Sequence, residues 1–507
     1  MRERRGALAL AGFVTGVAGL VAGQAVVWAL QAKNGPIVAV ASAVRDKTPG
    51  HLAIKLVHLV GHKDKPLLIT GTTVLLLLLC TWLGTQARKR PVLPDVVFFA
   101  LALVGMLSVL RLKDSTIGSS LGVLAGLITW LVVFRTLTAP LVTGSEDPGP
   151  EIWPSTRRAF LQRLGGVGVG VVAVGAFGRW ASRGRRRAEQ ARSRLRLPVS
   201  SGTAPAGVSV GVDGIAPWRT PSSDFYLIHT ALTIPTISPA DWSLRIHGMV
   251  DKELTITYDE LAARALTEDW ITLCCVSNEV GGDLIGNAFW SGVPIRDLLA
   301  EAGVHQDADA VLQTSQDGWN CGTPLAALTD PKRNAMLALA MNGQPLPLEH
   351  GFPVRMVVPG LYGFVSGTKW LVDLNVTRFD QFDAYWTQRG WSPMGPVKTE
   401  SRIDVPRDGA GTKAGSIKVG GSAWAQHTGI TKVEYQLDGG PWQTARLGTV
   451  PGNDTWVQWG GDVEVGKGKH TLAVRATDKS GYTQTPVRRD VVPDGATGWD
   501  TISFTAA

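Results

Sequence analysis

The sequence predicts a multi-domain chain: an N-terminal all-α transmembrane region, an α+β domain, and a C-terminal all-β, immunoglobulin-like sandwich. Three observations predict this. Apolar runs of bilayer length crowd the first third. Beyond Pro198, short alternating runs interleave with short helical ones. From about 401, alternating runs are divided only by tight-turn signals. The 507 residues suffice for two or three domains, and 18% charged residues is low for a soluble protein. The mean hydropathy of +0.09 therefore averages two unlike materials.

Residues 1–140 read as a four-helix transmembrane region. Apolar segments near 6–30, 66–86, 92–110 and 117–135 each have about the twenty residues a bilayer needs. Gly12, Gly16 and Gly19 suit close helix packing. "MRERR" and "ARKR" at 87–90 place the N-terminus and the second helix end in the cytoplasm, so four spans return the chain there near Arg135. None of the four spans contains a histidine, so the bundle reads as an anchor or docking platform rather than a haem-bearing electron wire. His51, His58 and His62 lie in the first connection and read as solvated loop residues or ligands near an interface.

Residues 141–200 hold an unusual stretch, "STRRAFLQRLGGVGVGVVAVGAFG" at 155–178. Paired arginines before a modest, glycine-rich apolar run form a twin-arginine-like export signal. The parity of four spans leaves Arg157 and Arg158 on the side where export machinery could meet them. A possible fifth span at 164–178 then places the rest of the chain on the extracytoplasmic side of the cell membrane. "RWASRGRRRAEQARSRLR" (179–196) carries eight arginines against one glutamate, nearly all of the net +8. So local a charge argues against nucleic acid as a partner and for a juxtamembrane segment touching anionic headgroups. It also runs against the positive-inside tendency if the fifth span forms.

Residues 201–400 carry the chemistry. "WSLRIHGMV" (242–250), "ELTITY" (253–258) and "WITL" (270–273) read as strands; "DELAARAL" (259–266) and "IRDLLAEAG" (295–303) read as helices, the latter stopped by Gly303. Four cysteines, Cys80, Cys274, Cys275 and Cys321, are too few for a disulfide framework. Cys80 sits in an apolar run as a small hydrophobe. In "WITLCCVSNEVGGDLIGNAFWSGVP" (270–294) a strand runs into two cysteines and then a polar turn of Ser277, Asn278, Gly281 and Gly282. A cysteine there suits a nucleophile, a soft metal ligand or a buried structural residue. In "MNGQPLPLEHGFPVRMVVPGLYGFVSGTKWL" (341–371), His350, Arg355 and Lys369 could converge on a phosphate or an electron-rich ring.

Together these segments resemble the sulfite oxidase family of molybdopterin-dependent oxidoreductases, in a membrane-anchored bacterial form. The resemblance covers about 210–400 as catalytic domain and about 401–500 as dimerisation domain. It implies a molybdenum–molybdopterin cofactor with a single pterin. The Thr272-Leu-x-Cys275-x-x-Asn278 pattern matches the family's metal-ligand motif, making Cys275 the ligand and Asn278 part of the cofactor loop. "HGFPVR" carries His350 and Arg355 over as pterin and phosphate contacts. "GTK" carries over Gly367, Thr368 and Lys369 as a clamp, after a one-residue insertion. "QDGW" supplies Asp317, and "DFYLIHTAL" resembles the first cofactor loop through Tyr226 and His229. "AYWTQRGWSP" (384–393) offers Tyr385, Arg389 and Trp391 where the family has an active-site tyrosine.

The resemblance implies oxygen-atom transfer coupled to two-electron transfer, with a small oxo-anion or sulfoxide as substrate. Departures bear on the substrate. Where the animal and plant enzymes hold sulfite with arginines, this chain has Glu279 and Val280, and Leu227, Ile228 and His229. Reduction of a sulfoxide such as oxidised methionine, which needs no such cations, is the alternative; a non-catalytic interaction module is a third reading. No C-x-x-C-H haem site occurs, so an external electron partner, a cytochrome or the quinone pool, is expected. Residues 401–507 show "DGG" and "KSG" turns between alternating runs and no catalytic grouping. The resemblance implies that this module pairs two subunits in a homodimer.

Overall fold

The computed structural model describes residues 2–30, 35–48, 64–111, 117–142, 152–181, 184–231 and 234–507. His51, His58 and His62 lie outside the described residues. The chain divides into two compact units: 1–187 with 231–235, and 188–230 with 236–507.

The first unit is helical: α1 (Arg2–Ala29), α2 (Pro36–Lys47), α3 (Asp64–Gln86), α4 (Leu93–Arg111), α5 (Ile117–Val142) and α6 (Ile152–Ala181). Five of these are long and apolar enough to cross a membrane, over Arg4–Ala29, Pro66–Gln86, Leu93–Arg111, Gly118–Val142 and Arg157–Phe177. The short α2 was not anticipated from the sequence; Pro36 starts it at a position where the missing N–H costs nothing. The fifth apolar run begins earlier than residue 164, and its glycines do not break the helix.

α1 packs against α3, α5 and α6. The approach of α1 to α3 is backbone to backbone: a Cβ on Gly12 would run into the Cys80 carbonyl, and one on Gly84 into the Leu8 carbonyl. Gly23 and Gly122 make the corresponding approach to α5. Trp130 fills the adjoining space, stacking on Phe98 at 5.6 Å.

The second unit contains the remaining helices and all the strands. The short helix α7 (Gly184–Arg194) spans the division between the units. Its Arg192 Nε donates to the Leu346 carbonyl (2.8 Å). One sheet has the order β2 (Leu254–Thr257), β1 (Ser243–Gly248), β10 (Leu371–Thr377), β5 (Ala310–Ser315), β6 (Asn320–Pro324), with only the β1/β10 pair parallel. A second runs β3 (Thr267–Cys274), β4 (Ile285–Pro294), β7 (Met336–Met341), β8 (Gln344–Pro345), with β9 (Arg355–Val357) also on β7. β7 is buried along its whole length, as "MLALAM" requires. Helices α8 (Tyr258–Ala262), α9 (Ile295–Ala302) and α10 (Leu325–Thr329) cover these sheets. α8 is shorter than its apolar spacing predicts, but Thr257 and Glu260 close a capping box at its start. α9 ends as expected at Gly303, whose φ of +68° closes the last turn.

Two further sheets follow. One orders β11 (Glu400–Val405), β13 (Gly415–Trp424), β17 (Val457–Val465), β16 (Arg446–Leu447). The other orders β12 (Gly411–Thr412), β19 (Asp500–Ala506), β18 (Gly468–Asp478), β14 (Ile430–Leu437), β15 (Gln443–Thr444). Their inner faces share one apolar cluster: Val419 and Trp459 from the first, Val433, Leu472 and Phe504 from the second. Sheet-on-sheet packing follows from the alternation along each strand. Trp424 and Trp456 turn the other way and complete the core of the preceding α+β portion.

Candidate functional site

β3 and β4 pair in register from Thr267↔Gly292 to Cys274↔Ile285, which leaves 275–284 as the connecting loop. Alternation sends the two cysteines in different directions. Cys274 is fully buried among core side chains, and burial, then Glu400, push its thiol well up. Cys275 opens the loop. Its N–H donates to the Leu284 carbonyl (2.9 Å), and its carbonyl accepts from the Asn278 N–H (3.0 Å). The Asn278 carboxamide oxygen accepts from the Leu284 N–H (2.8 Å), and Gly281 takes a φ of +79° that favours glycine. Burial raises the Cys275 thiol, whereas hydrogen bonds from Ser277 and the charge of Lys369 lower it. These donors are already placed for a thiolate.

The cationic side of the site comes from 350–369. Arg355 begins β9 and is 4% exposed. Its nearest acceptors are carbonyls, those of Met356 and His350, at 3.4 Å. It makes no ion pair among the described residues, and burial lowers its guanidinium to about 10. The Trp290 ring lies 5.0 Å from it. His350 Nε2 lies 3.1 Å from the Ser222 carbonyl, which can only accept; Nε2 therefore carries the proton and Nδ1 is a bare acceptor. That Nδ1 is buried without a partner. Burial, then Lys369 and Arg355, drive the imidazole down to about 3, so it stays neutral. Lys369 Nζ donates to the Glu349 carbonyl (3.0 Å). A Cβ on Gly367 would lie 3.4 Å from Arg355 Nη2, so the small residue keeps the backbone beside the guanidinium.

Tyr226 closes the group. Its ring stacks on Phe225 (5.2 Å), which meets Trp290 and His350 edge to face. Burial, then Cys275 and Cys274, hold its phenol well above the usual range. Each of Cys275, Tyr226, His350, Arg355 and Lys369 thus feels the charge of at least one other of the five, although they span much of the α+β portion. Asp317 caps the β5–β6 turn through the Trp319 N–H (3.3 Å), and the neighbouring Gln316 N–H donates to the Trp370 carbonyl (2.8 Å), which brings the turn to the segment that carries Lys369. His229 sits edge-on to Trp370 (5.8 Å). The Thr368 hydroxyl lies 3.3 Å from Cys321 Sγ, whose thiol burial pushes up to about 12. Tyr385 and Arg389 belong to a neighbouring segment. The Tyr385 N–H donates to the Asn320 carboxamide (2.9 Å), and the Arg389 guanidinium packs 3.7 Å over the Tyr385 ring. Trp391 packs with Phe364 and Trp386 in the core.

Sequence reasoning missed Ser222, Phe225 and Trp290 as neighbours of these groups. Ser222 faces His350 across 128 positions, and no local pattern marks it. Ser277 was visible in the loop, but not that it serves the thiol.

The donor set suits one kind of group. No cluster of three or more His, Cys, Asp or Glu side chains able to hold a metal occurs among the described residues. A metal at Cys275 must bring most of its own ligands. Arg355 without a carboxylate, the bare His350 Nδ1 and the unpartnered Asn278 Nδ2 call for a polar, anionic group beside the thiol. A metal chelated by a phosphate-bearing organic ligand meets both demands.

The family model described as "oxidoreductase molybdopterin binding domain" matches residues 231–386. Human mitochondrial sulfite oxidase is 30% identical over 271 residues, covering 45% of this chain and 49% of that protein. The chain thus spans about half the length of the first curated relatives it matches. An uncharacterised oxidoreductase of Bacillus subtilis, YuiH, is 29% identical over 181 residues, covering 36% of this chain and 87% of that one. Among solved structures, the sulfane dehydrogenase SoxCD of Paracoccus pantotrophus is similar with a TM-score of 0.50 and 25% identity, covering 60% of this chain and 86% of that one. Fold and site together define a molybdopterin-binding oxidoreductase domain. Residues 231–386 are similar to the molybdopterin domain of the sulfite oxidases, and the cofactor this implies is molybdenum–molybdopterin.

Proposed function

We propose that this chain is a membrane-anchored, molybdopterin-dependent oxidoreductase that acts on a small oxo-anion or sulfoxide and exchanges electrons with an external cytochrome or the quinone pool. The carrying observation is the thiol of Cys275 grouped with Lys369, with a neutral His350 and with a buried Arg355 that makes no ion pair among the described residues. When bound, the cofactor supplies oxygen-atom transfer coupled to a two-electron change. The chain supplies the rest. Cys275 gives the metal its one protein thiolate, supported by Ser277. Arg355, Lys369 and the Gly367–Thr368 backbone would hold the phosphate; His350 Nδ1 would accept a hydrogen bond from the pterin; Asn278, Asp317, Tyr226 and His229 would border it. Tyr385 and Arg389 are proposed for the substrate side. The aromatic walls of Phe225 and Trp290 exclude water.

Membrane anchoring rests on the five long apolar helices. Arg157 and Arg158 are exposed on α6, where a twin-arginine export system could read them. The catalytic domain then lies on the extracytoplasmic side, with the 141–200 segment as signal, fifth span and basic linker. The proposed domains are the membrane region to 140, the catalytic domain at 201–400, and an immunoglobulin-like module at 401–507 that pairs two subunits.

A second reading, reduction of a neutral sulfoxide such as oxidised methionine, draws support from Glu279 and Val280 standing where the resembled enzymes hold sulfite with a cation. Turnover of sulfite against methionine sulfoxide separates the two. Metal analysis, with paramagnetic resonance of the reduced centre, tests the shared core. Molybdenum should co-purify with wild type and be lost from Cys275→Ser; wild type without molybdenum from a cofactor-competent host overturns the proposal.

A further inference from the structure

The strand that carries the cysteines is an edge strand, and the C-terminal sandwich closes its open side. β3 pairs only with β4 in its sheet. On its other edge the Thr272 N–H donates to the Asp454 carbonyl (2.8 Å), and Gln426 Nε2 donates to the Thr272 carbonyl (3.2 Å). The Trp456 N–H donates to the Thr272 hydroxyl (2.8 Å). The loop beyond β3 is held from the same side. Arg402 Nη1 donates to the Gly282 carbonyl (3.0 Å). The guanidinium is itself anchored: Nε lies 2.8 Å from the Asp404 carboxylate, with side chains only 8% and 13% exposed, and the Trp456 ring lies 5.6 Å away. At Gly281 a Cβ would come within 2.6 Å of the Asp500 carboxylate, so that side chain of the sandwich packs directly on the loop backbone.

We infer that Arg402 is a positioning residue for Cys275, acting through the Gly282 carbonyl to fix the 275–284 loop, and that the sandwich is in this sense part of the active site. A soft metal ligand at the start of a loop needs its direction set by groups outside the loop. Ser277 and Asn278 are themselves loop residues and cannot supply that reference. Arg402 can, because it is paired and buried on a sheet. Its extended guanidinium reaches the Asp404 carboxylate as an ion pair and the Gly282 carbonyl by a hydrogen bond from Nη1, two points that a compact ammonium spans poorly. The inference rests on reading Cys275 as the metal ligand, but its test does not need the metal.

The test uses the full chain in detergent, prepared without molybdopterin so that no metal blocks Cys275, whose thiol is buried and alkylates only as its loop opens. Amide hydrogen exchange of 277–284 and the alkylation rate of Cys275 are followed by mass spectrometry. Arg402→Gln should speed both by about tenfold or more while β17 keeps its protection; Arg402→Lys should give a smaller, roughly threefold effect. Unchanged loop exchange and alkylation in folded Arg402→Gln, or protection lost evenly across the whole unit, would overturn the inference. If Arg402→Gln does not fold, Arg402→Lys decides by the same two readouts, and a wild-type rate overturns it. Molybdenum in wild type from a cofactor-competent host is assayed separately, so the functional reading and this one can fail independently.

Discussion

Cys275 and Cys274 are adjacent and chemically identical, yet their surroundings assign them different work. Cys274 is wrapped in core side chains, whereas Cys275 meets Ser277 and Lys369. Cys275→Ser should therefore lower turnover by about 100-fold or more, with loss of bound molybdenum. Cys274→Ala should keep the metal and cost only about 1–2 kcal/mol of stability, measured by melting. Glu400 poses a different question. It is buried, one carboxyl oxygen has no partner, and burial pushes it up to about 8 despite the charge of Lys398. An unfolded glutamate titrates near 4.3. Below that value both states hold the proton and there is no penalty. As the pH climbs towards 8 the unfolded chain alone releases its proton, so stability falls, and above 8 the loss levels off. Glu400→Gln should then stabilise the protein at pH 8 by on the order of 2–4 kcal/mol and change little at pH 4. Denaturant melts at the two values check this, and an unaltered pH dependence would refute it. At this scale the sequence singled out residues where a motif was local: Cys275 by its register on the resembled motif, and His350 and Arg355 by one short block. The tautomer of His350 was not readable, because Ser222 lies far away in the chain and meets it only through the tertiary fold.

Helices and strands were legible in proportion to how fully their own periodicity determines them. α9 ends at Gly303 because an apolar stripe stops at a residue able to take a positive φ. The bilayer-length helices follow from apolar length alone. α2 was missed because its residues are mixed and short, and a proline start is a weak signal without a clear stripe. The run at 164–178 reads as short and weakly apolar, yet the helix that holds it extends back to Ile152. Glycine costs about 1 kcal/mol against alanine in a helix in water, and in a bilayer, where unpaired backbone costs more, helix would be the cheaper state. The α1–α3 crossing is a firmer test of element packing. Gly12→Leu forces a side chain into the Cys80 carbonyl and should destabilise the bundle by about 1–3 kcal/mol, read as a lowered melting temperature in detergent. Gly71→Ala on α3, where a Cβ meets nothing, is the neutral control.

At the scale of the whole chain, topology makes the decisive prediction. Replacing Arg157 and Arg158 together with lysine should leave the C-terminal region protected from protease added outside the cell, while wild type is cleaved there; equal cleavage would refute the export reading. Partition into a part of long apolar helices and a two-sheet C-terminal part was legible, because apolar length and strand alternation are local properties. That Trp424 and Trp456 complete the core of the α+β portion was not, since those tryptophans read as ordinary sandwich positions until the fold brings them across.

The closure of β3 by the sandwich also sets a timetable. Trp456 lies 184 positions after Thr272. A ribosome adding roughly 5–20 residues per second needs on the order of ten to forty seconds to cover that distance. Throughout that interval the cysteine strand has one unpaired edge, and its loop is held only by bonds of its own. An unpaired strand edge is a template for pairing with another chain, so the late synthesis of residues 454–456 opens a window in which the nascent chain is prone to association.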